Sequence, residues 1–172
     1  MALVLNEAPL TKATQAYVVK NPNQVTNAFT VNDESVAAAT LKLIDKEKID
    51  DLKSFVKGFD MTSISSDDLK KVGRALYKND IIDFESYGLF MSGNLTTDEK
   101  GYRINTDVKF NAIALFSERL EEYTTFLKDY PVHVNTFTRG VQKGMITANH
   151  ALAALAHFSV SARNDFFISE RA

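Results

Sequence analysis

Cysteine is absent from the 172 residues of the chain. That excludes disulfides, thiol catalysis and every cysteine-ligated metal site, while leaving the compartment open. Only three prolines and seven glycines are present. So few turn-formers favour a helical class over a sandwich or barrel. No run approaches the roughly 18 apolar residues that a membrane helix needs. ALAALAHFSV comes nearest, but it is short and carries His157. The opening MALVLNEAPL lacks a basic region and a long apolar run, so neither a secretory signal nor an anchor is expected. The expected location is the cytoplasm, with export without a cleaved signal left open. An excess of positive charge is missing too: 20 basic side chains face 22 acidic ones, for a formal charge of −2. Nothing in that balance favours nucleic acid as a partner.

The signatures of common chemistry are also missing. The chain has no G-x-S-x-G elbow, no GxGxxG, no phosphate-binding loop and no HExxH. The Glu-x-x-His pattern of di-iron bundles does not occur. Candidate calcium loops starting at Asp60 or Asn79 place Ile64 or Ile81 where an oxygen ligand is required. No cofactor, metal site or catalytic residue is therefore assigned, and the balance leans away from an enzyme.

What is present is apolar patterning. Hydrophobic residues make up 45% of the chain, enough for one globular domain with a sizeable core. Between Asp107 and Tyr130, the residues Ile113, Phe116, Leu120, Tyr123, Leu127 and Tyr130 alternate steps of three and four. That spacing gathers large side chains on one stripe of a helix, which Phe126 widens. Asn105 or Asp107 is placed to cap its start, and Pro131 blocks its continuation. The helix should stop near Asp129 and serve as the centre that other helices pack against. Glu118, Glu121 and Glu122, grouped around Arg119, read as its solvated face.

Residues 1–32 are rich in Asn, Thr, Gln and Ala, with breakers at Pro9 and Asn21-Pro22-Asn23. They read as an extended or disordered arm, and residues 33–172 as a single helical domain. Asn32 or Asp33 can cap the first helix, and the phase break at Asp45-Lys46-Glu47-Lys48 gives either one kinked helix or two. Ser65 with Asp68 approximates a capping box, and Asp83 can cap a second helix after the Asn79-Asp80 turn. Gly73, beside Val72 in the buried stripe, suits a close helix contact. Lys70, Lys71, Arg74 and Lys78 form a basic face, but on the first helix of this hairpin, which argues against a DNA-reading helix–turn–helix. The segments 95–97 and 102–104, with Gly101 between them, can form a small β-hairpin. Val132 to Val134 reads as extended, and Thr136 to Lys143 as a short helix stopped by Gly144. A last helix follows, carrying Ala148, Leu152, Leu155, Ser159, Ala162 and Phe166 on one stripe.

His150 and His157 stand seven apart on that last helix. Two metal ligands on one helix favour a spacing of four, so interfacial or partly buried histidines are expected. The expected architecture is an all-α bundle of about five to six helices with a polar N-terminal arm and one small β-hairpin. The leading functional reading is a non-enzymatic protein–protein interaction module, such as an adaptor, chaperone-like or assembly factor, with self-association included. Tyr123, Phe126, Tyr130, His150 and His157 are the candidate interaction surface. Two alternatives stand beside it: a structural or exported component of a bacterial or phage assembly, and a small-ligand binder or enzyme with a pocket between the last two helices.

Overall fold

The computed structural model describes residues 13–169, with side chains described to residue 164. The protein is mostly helical. Among the described residues there are six α-helices, α1 (Glu34–Thr40), α2 (Lys46–Val56), α3 (Ser66–Lys78), α4 (Phe84–Ser92), α5 (Ala112–Asp129) and α6 (Thr136–Ser169). A short antiparallel pair, β1 (Ile64–Ser65) with β2 (Lys109–Phe110), ties the start of α3 to the start of α5. Residues 1–12 of the expected arm, and the Phe166 side chain of the last stripe, lie outside the described residues.

Side-chain caps define where most helices begin. Asp33 accepts from the Ser35 and Val36 amides at α1, Ser65 from Asp68 N–H at α3, and Asp83 from Ser86 N–H at α4. Each satisfies an amide that the helix itself leaves unpaired. α5 is capped by Asn111, which accepts from Ala114 N–H, rather than by Asn105 or Asp107. Asn105 instead adopts a left-handed turn conformation (φ 55°) just before β2.

The break after α1 resolves into two helices. Leu43 N–H donates to Ala38 C=O and Lys42 N–H to Ala39 C=O, with Lys42 left-handed at φ 56°. This is the Schellman stop, built without glycine. α3 ends in the same way. Ile81 N–H donates to Leu76 C=O, Asp80 N–H to Tyr77 C=O, and Asp80 has φ 55°.

The organising element is α6, not α5. α1, α2, α4 and α5 all pack on α6, whereas α6 is the main helical neighbour of α5. α6 runs unbroken for 34 residues, straight through Gly144. Its buried Ala148, Ala151 and Ala154 let neighbouring backbones approach, and Leu152, Leu155 and Phe158 fill the spaces between them. Phe90 of α4 meets Phe116 of α5 edge-on at 5.5 Å in the centre of the core. Polar crosslinks support the packing: Asn149 Nδ2 donates to Phe116 C=O (3.0 Å), and Ser159 Oγ donates to Phe59 C=O.

One local expectation in the connections is corrected. Val132 and His133 are not extended, because Pro131–His133 closes a 3-10 turn that carries the chain from α5 into α6. The expected small hairpin is present in the 95–104 segment. Thr97 bridges Arg103, Ile104 N–H donates to Thr96 C=O, and Gly101 (φ 81°) closes the turn.

Candidate interaction surface

Two features are built from residues that the fold leaves outside its core. The first is the corner between α5 and α6. Pro131 lacks an amide hydrogen and ends α5, so the chain reverses within a few residues. Asn135 fixes the restart. Its Oδ1 accepts from Thr138 N–H (3.0 Å), while its own N–H donates to Thr138 Oγ1 (2.9 Å). Thr138 Oγ1 also donates to His133 C=O (2.9 Å), and Tyr123 Oη donates to Thr138 C=O. The corner is therefore braced by side chains rather than held by burial.

On this brace sits an aromatic group. The Phe126 ring stacks on His133 (centroids 5.5 Å, 16°) and lies 5.3 Å from Tyr130 and 6.4 Å from Tyr123. Phe126 is 40% exposed and Tyr130 55%, Val132 on the adjoining turn is 85% exposed, and Phe137 in the first turn of α6 is 77% exposed. Along the α5 stripe Ile113, Phe116, Leu120 and Leu127 are buried as its spacing predicts, whereas Tyr123 is half-buried and Tyr130 exposed.

The structure does not bring the five candidate residues together. Tyr123, Phe126 and Tyr130 share the corner. His150 is exposed on α6 and meets Phe29 of the N-terminal segment edge-on at 4.9 Å. His157 is half-buried, beside Phe158 and within electrostatic reach of Asp33. His133 joins the aromatic group and was not among the candidates. Its only sequence signal is a position three residues beyond Tyr130, across a proline. A cavity of about 620 Å³ lies between α2, the α1–α2 connection and the end of α3, with Ile44, Phe55 and Ile81 in its lining. It is not lined by His150, His157, Tyr123 or Tyr130. Among the described residues no group of His, Asp and Glu is placed to hold a metal ion, and no helix is long and apolar enough to cross a membrane.

The second feature is a clasp on the N-terminal segment. Glu118 is only 5% exposed, so the solvated reading of that side chain is overturned. Its carboxylate accepts from the main-chain amides of Lys20 (Oε2, 2.9 Å) and Asn21 (Oε1, 2.9 Å), and from Tyr17 Oη (3.2 Å). Glu122, one turn on, accepts from Lys20 Nζ (2.7 Å) and Tyr17 Oη (2.9 Å). Arg119 lies 5.6 Å from the Tyr17 ring centroid and donates to Gly93 C=O. Asn94 closes two bonds on Tyr17, accepting from its N–H (2.7 Å) and donating to its C=O (3.1 Å). Asn111 Nδ2 donates to the carbonyls of Pro22 and Gln24 while its Oδ1 caps α5.

Burial, then hydrogen bonds and repulsion from Glu122 and Glu118, push the Tyr17 phenol well above its ordinary range. A raised folded-state value means that the hydroxyl contributes stability in full below the unfolded phenol pKa of about 10, and loses it as pH rises through the folded value. Tyr17→Phe should therefore cost about 1 kcal/mol at pH 8. The gap between the two proteins should close and then reverse as pH climbs past 10. Urea unfolding of both at pH 8 and pH 11 measures it, and a gap that does not change with pH would show that the hydroxyl is not held in this way.

No protein-family model matches the chain, and no curated protein or solved structure matches it either.

Proposed function

We propose that the protein is a non-enzymatic protein–protein interaction module whose contact surface is the aromatic corner between α5 and α6. The observation that carries this reading is the exposure of Phe126, Tyr130, Val132 and Phe137 around the hydrogen-bonded corner that joins α5 to α6. Large apolar groups left outside the core gain nothing for the fold and would be covered by a partner. Aromatic side chains are suited to such a role because they bring much area with few rotatable bonds, and they dominate binding hot spots. Bracing by Asn135 and Thr138 supports the reading further, since a surface ordered in advance loses less entropy when it binds. Tyr123, Phe126 and Tyr130 stay in the surface, His133 joins it, and His150 and His157 fall outside.

The expected test result separates binding from folding. Phe137→Ser with Val132→Ser should change stability by no more than about 0.5 kcal/mol, because both side chains are exposed. Association should fall at least tenfold, whether seen as concentration-dependent mass in light scattering or as retention of a co-purified partner on immobilised protein. A wild-type protein that stays monomeric at every concentration, with captured proteins unchanged by the substitutions, would remove the proposal.

A further inference from the structure

The N-terminal segment is held in an unusual manner. Between residues 14 and 24 it forms no helix, and its only strand pairing is the Thr14–Thr97 bridge. Tyr17 and Val19 pack against the core, and three polar side chains address the main chain of the segment. Asn94 pairs with both the N–H and C=O of Tyr17, Glu118 accepts the successive amides of Lys20 and Asn21, and Asn111 donates to the carbonyls of Pro22 and Gln24. This is how a peptide-binding groove grips an extended ligand: main-chain bonds give affinity and a few side-chain contacts set the register. Here the register is set by Tyr17 and by Lys20, whose ammonium meets Glu122. Nothing in these contacts depends on the peptide being joined to the same molecule.

We infer that the face of α5 carrying Asn111, Glu118 and Glu122, with Asn94 beside it, is a docking groove for an extended segment. It is occupied in cis by the protein's own arm and able to take the arm of a second copy in trans. A second copy is the occupant that fits, because its arm carries the same Tyr17 and Lys20 at the same spacing as the segment already seated. The stretch from Val25 to Ala28, exposed except at half-buried Asn27, joins the gripped residues to Phe29, which stays on α6 against His150. Rotation about the exposed Val25 and Thr26 would carry residues 13–24 away from their own groove without disturbing the helices. Exchange of an identical element is a low-cost route to a dimer. It should appear as protein concentration approaches the effective concentration of the tethered arm, of millimolar order for a short linker. The inference does not rest on the aromatic corner.

A chain without cysteine makes the test clean, since every disulfide formed is an introduced one. Thr14 and Thr97 form an antiparallel bridge in which Thr97 N–H donates to Thr14 C=O (2.9 Å) and Thr14 N–H donates to the Thr97 side-chain Oγ1 (3.0 Å). Bridge partners of this kind lie about 4.5–5.5 Å apart at Cα, within disulfide reach. The full-length double variant T14C/T97C should crosslink within one chain. Full-length T14C mixed with full-length T97C at high concentration should give a disulfide-linked heterodimer at least tenfold above a mixture of T14C with K128C, whose cysteine sits on the exposed end of α5. Adding Glu118→Ala to the T97C chain should reduce that heterodimer at least tenfold. Intramolecular crosslinking with no heterodimer above the control would overturn exchange and leave the arm as a fixed strut. Failure to crosslink within the chain, or capture unaffected by Glu118→Ala, would overturn the groove itself.

Discussion

Gly73→Ala and Gly144→Ala are both expected to destabilise the protein, although alanine is the better helix former, while Gly140→Ala is expected to stabilise it. All three glycines lie inside helices, so each substitution gains about 0.8–1 kcal/mol of helix propensity. They differ in what a new methyl group meets. At Gly73 it falls 2.4 Å from Phe90 Cβ, and at Gly144 it falls 2.7 Å from Glu85 Cβ and 3.3 Å from the Glu85 carbonyl carbon. These atoms are fixed to the α4 backbone, so no change of rotamer relieves the contact. α4 lies between α3 and α6, held close to both by one glycine on each side, and Ser86 Oγ donates to Gly144 C=O within that contact. Moving α4 would disturb Phe90, which is fully buried. Overpacking of this kind costs about 1–3 kcal/mol or more, so a net loss of about 1–2 kcal/mol is expected after the propensity gain. For a chain of this size that lowers Tm by roughly 2–8 °C. At Gly140 nothing lies within 4 Å, so the propensity gain stands alone and Tm rises. Thermal unfolding of the three variants decides the matter. If Gly73→Ala and Gly144→Ala raise Tm as Gly140→Ala does, the close approach of α4 is wrong.

The same glycines show how far the sequence could be read. Gly73 stands beside Val72 in a stripe already identified as buried, so its close contact was legible. Gly144 stands in no clear stripe, and in one dimension a glycine that stops a helix looks like a glycine that admits a neighbour. The caps at Asp33, Ser65 and Asp83 were legible because each is a local rule, linking one side chain to amides two or three residues on. The Asn79-Asp80 turn was legible too, but the stop at Lys42 was not, because lysine is no turn-former and its left-handed conformation is a cost that packing of Leu43 against the core offsets. α5 drew attention because its residues are large, but α6 is the hub. Small side chains let several helices approach one axis, and a count of bulky residues does not reveal that.

Legibility of the candidate sites follows the same division. Tyr123, Phe126 and Tyr130 lie within the last two turns of α5 and its C-cap and were found by spacing alone. His150 and His157 share a helix too, but they face the arm and the α1 end rather than the corner. Glu118 was assigned to water because the helix wheel places it away from the apolar stripe. The wheel is right about direction but silent about what covers that side. α5 has one main helical neighbour, and the polar arm takes its other flank, with a carboxylate instead of an apolar group as the point of contact.

Glu118→Ala is accordingly expected to be the most damaging single change on the surface of α5. It removes the acceptor for two main-chain amides at once, together with the longer of the two contacts made by the Tyr17 phenol. Hydrogen bonds to a charged group contribute about 1.5–3 kcal/mol each, but the arm can peel away and rehydrate, which caps the total at the free energy of docking it. A loss of about 2–4 kcal/mol is expected where arm and bundle unfold together. Where the arm releases alone, the amides of residues 17–24 should lose hydrogen-exchange protection while those of α6 keep theirs. Glu118→Gln should fall in between. One oxygen can still accept from Lys20 N–H, but the amide NH₂ then faces Asn21 N–H, donor against donor. Glu122→Ala should cost no more than about 1 kcal/mol, because its ion pair with Lys20 is largely exposed. The decisive comparison is Glu118 against Glu122. Equal and small effects at the two positions would mean that the arm is not gripped through its main chain. A large effect confined to Glu118 would identify one buried carboxylate as the point that joins an irregular arm to a helical bundle.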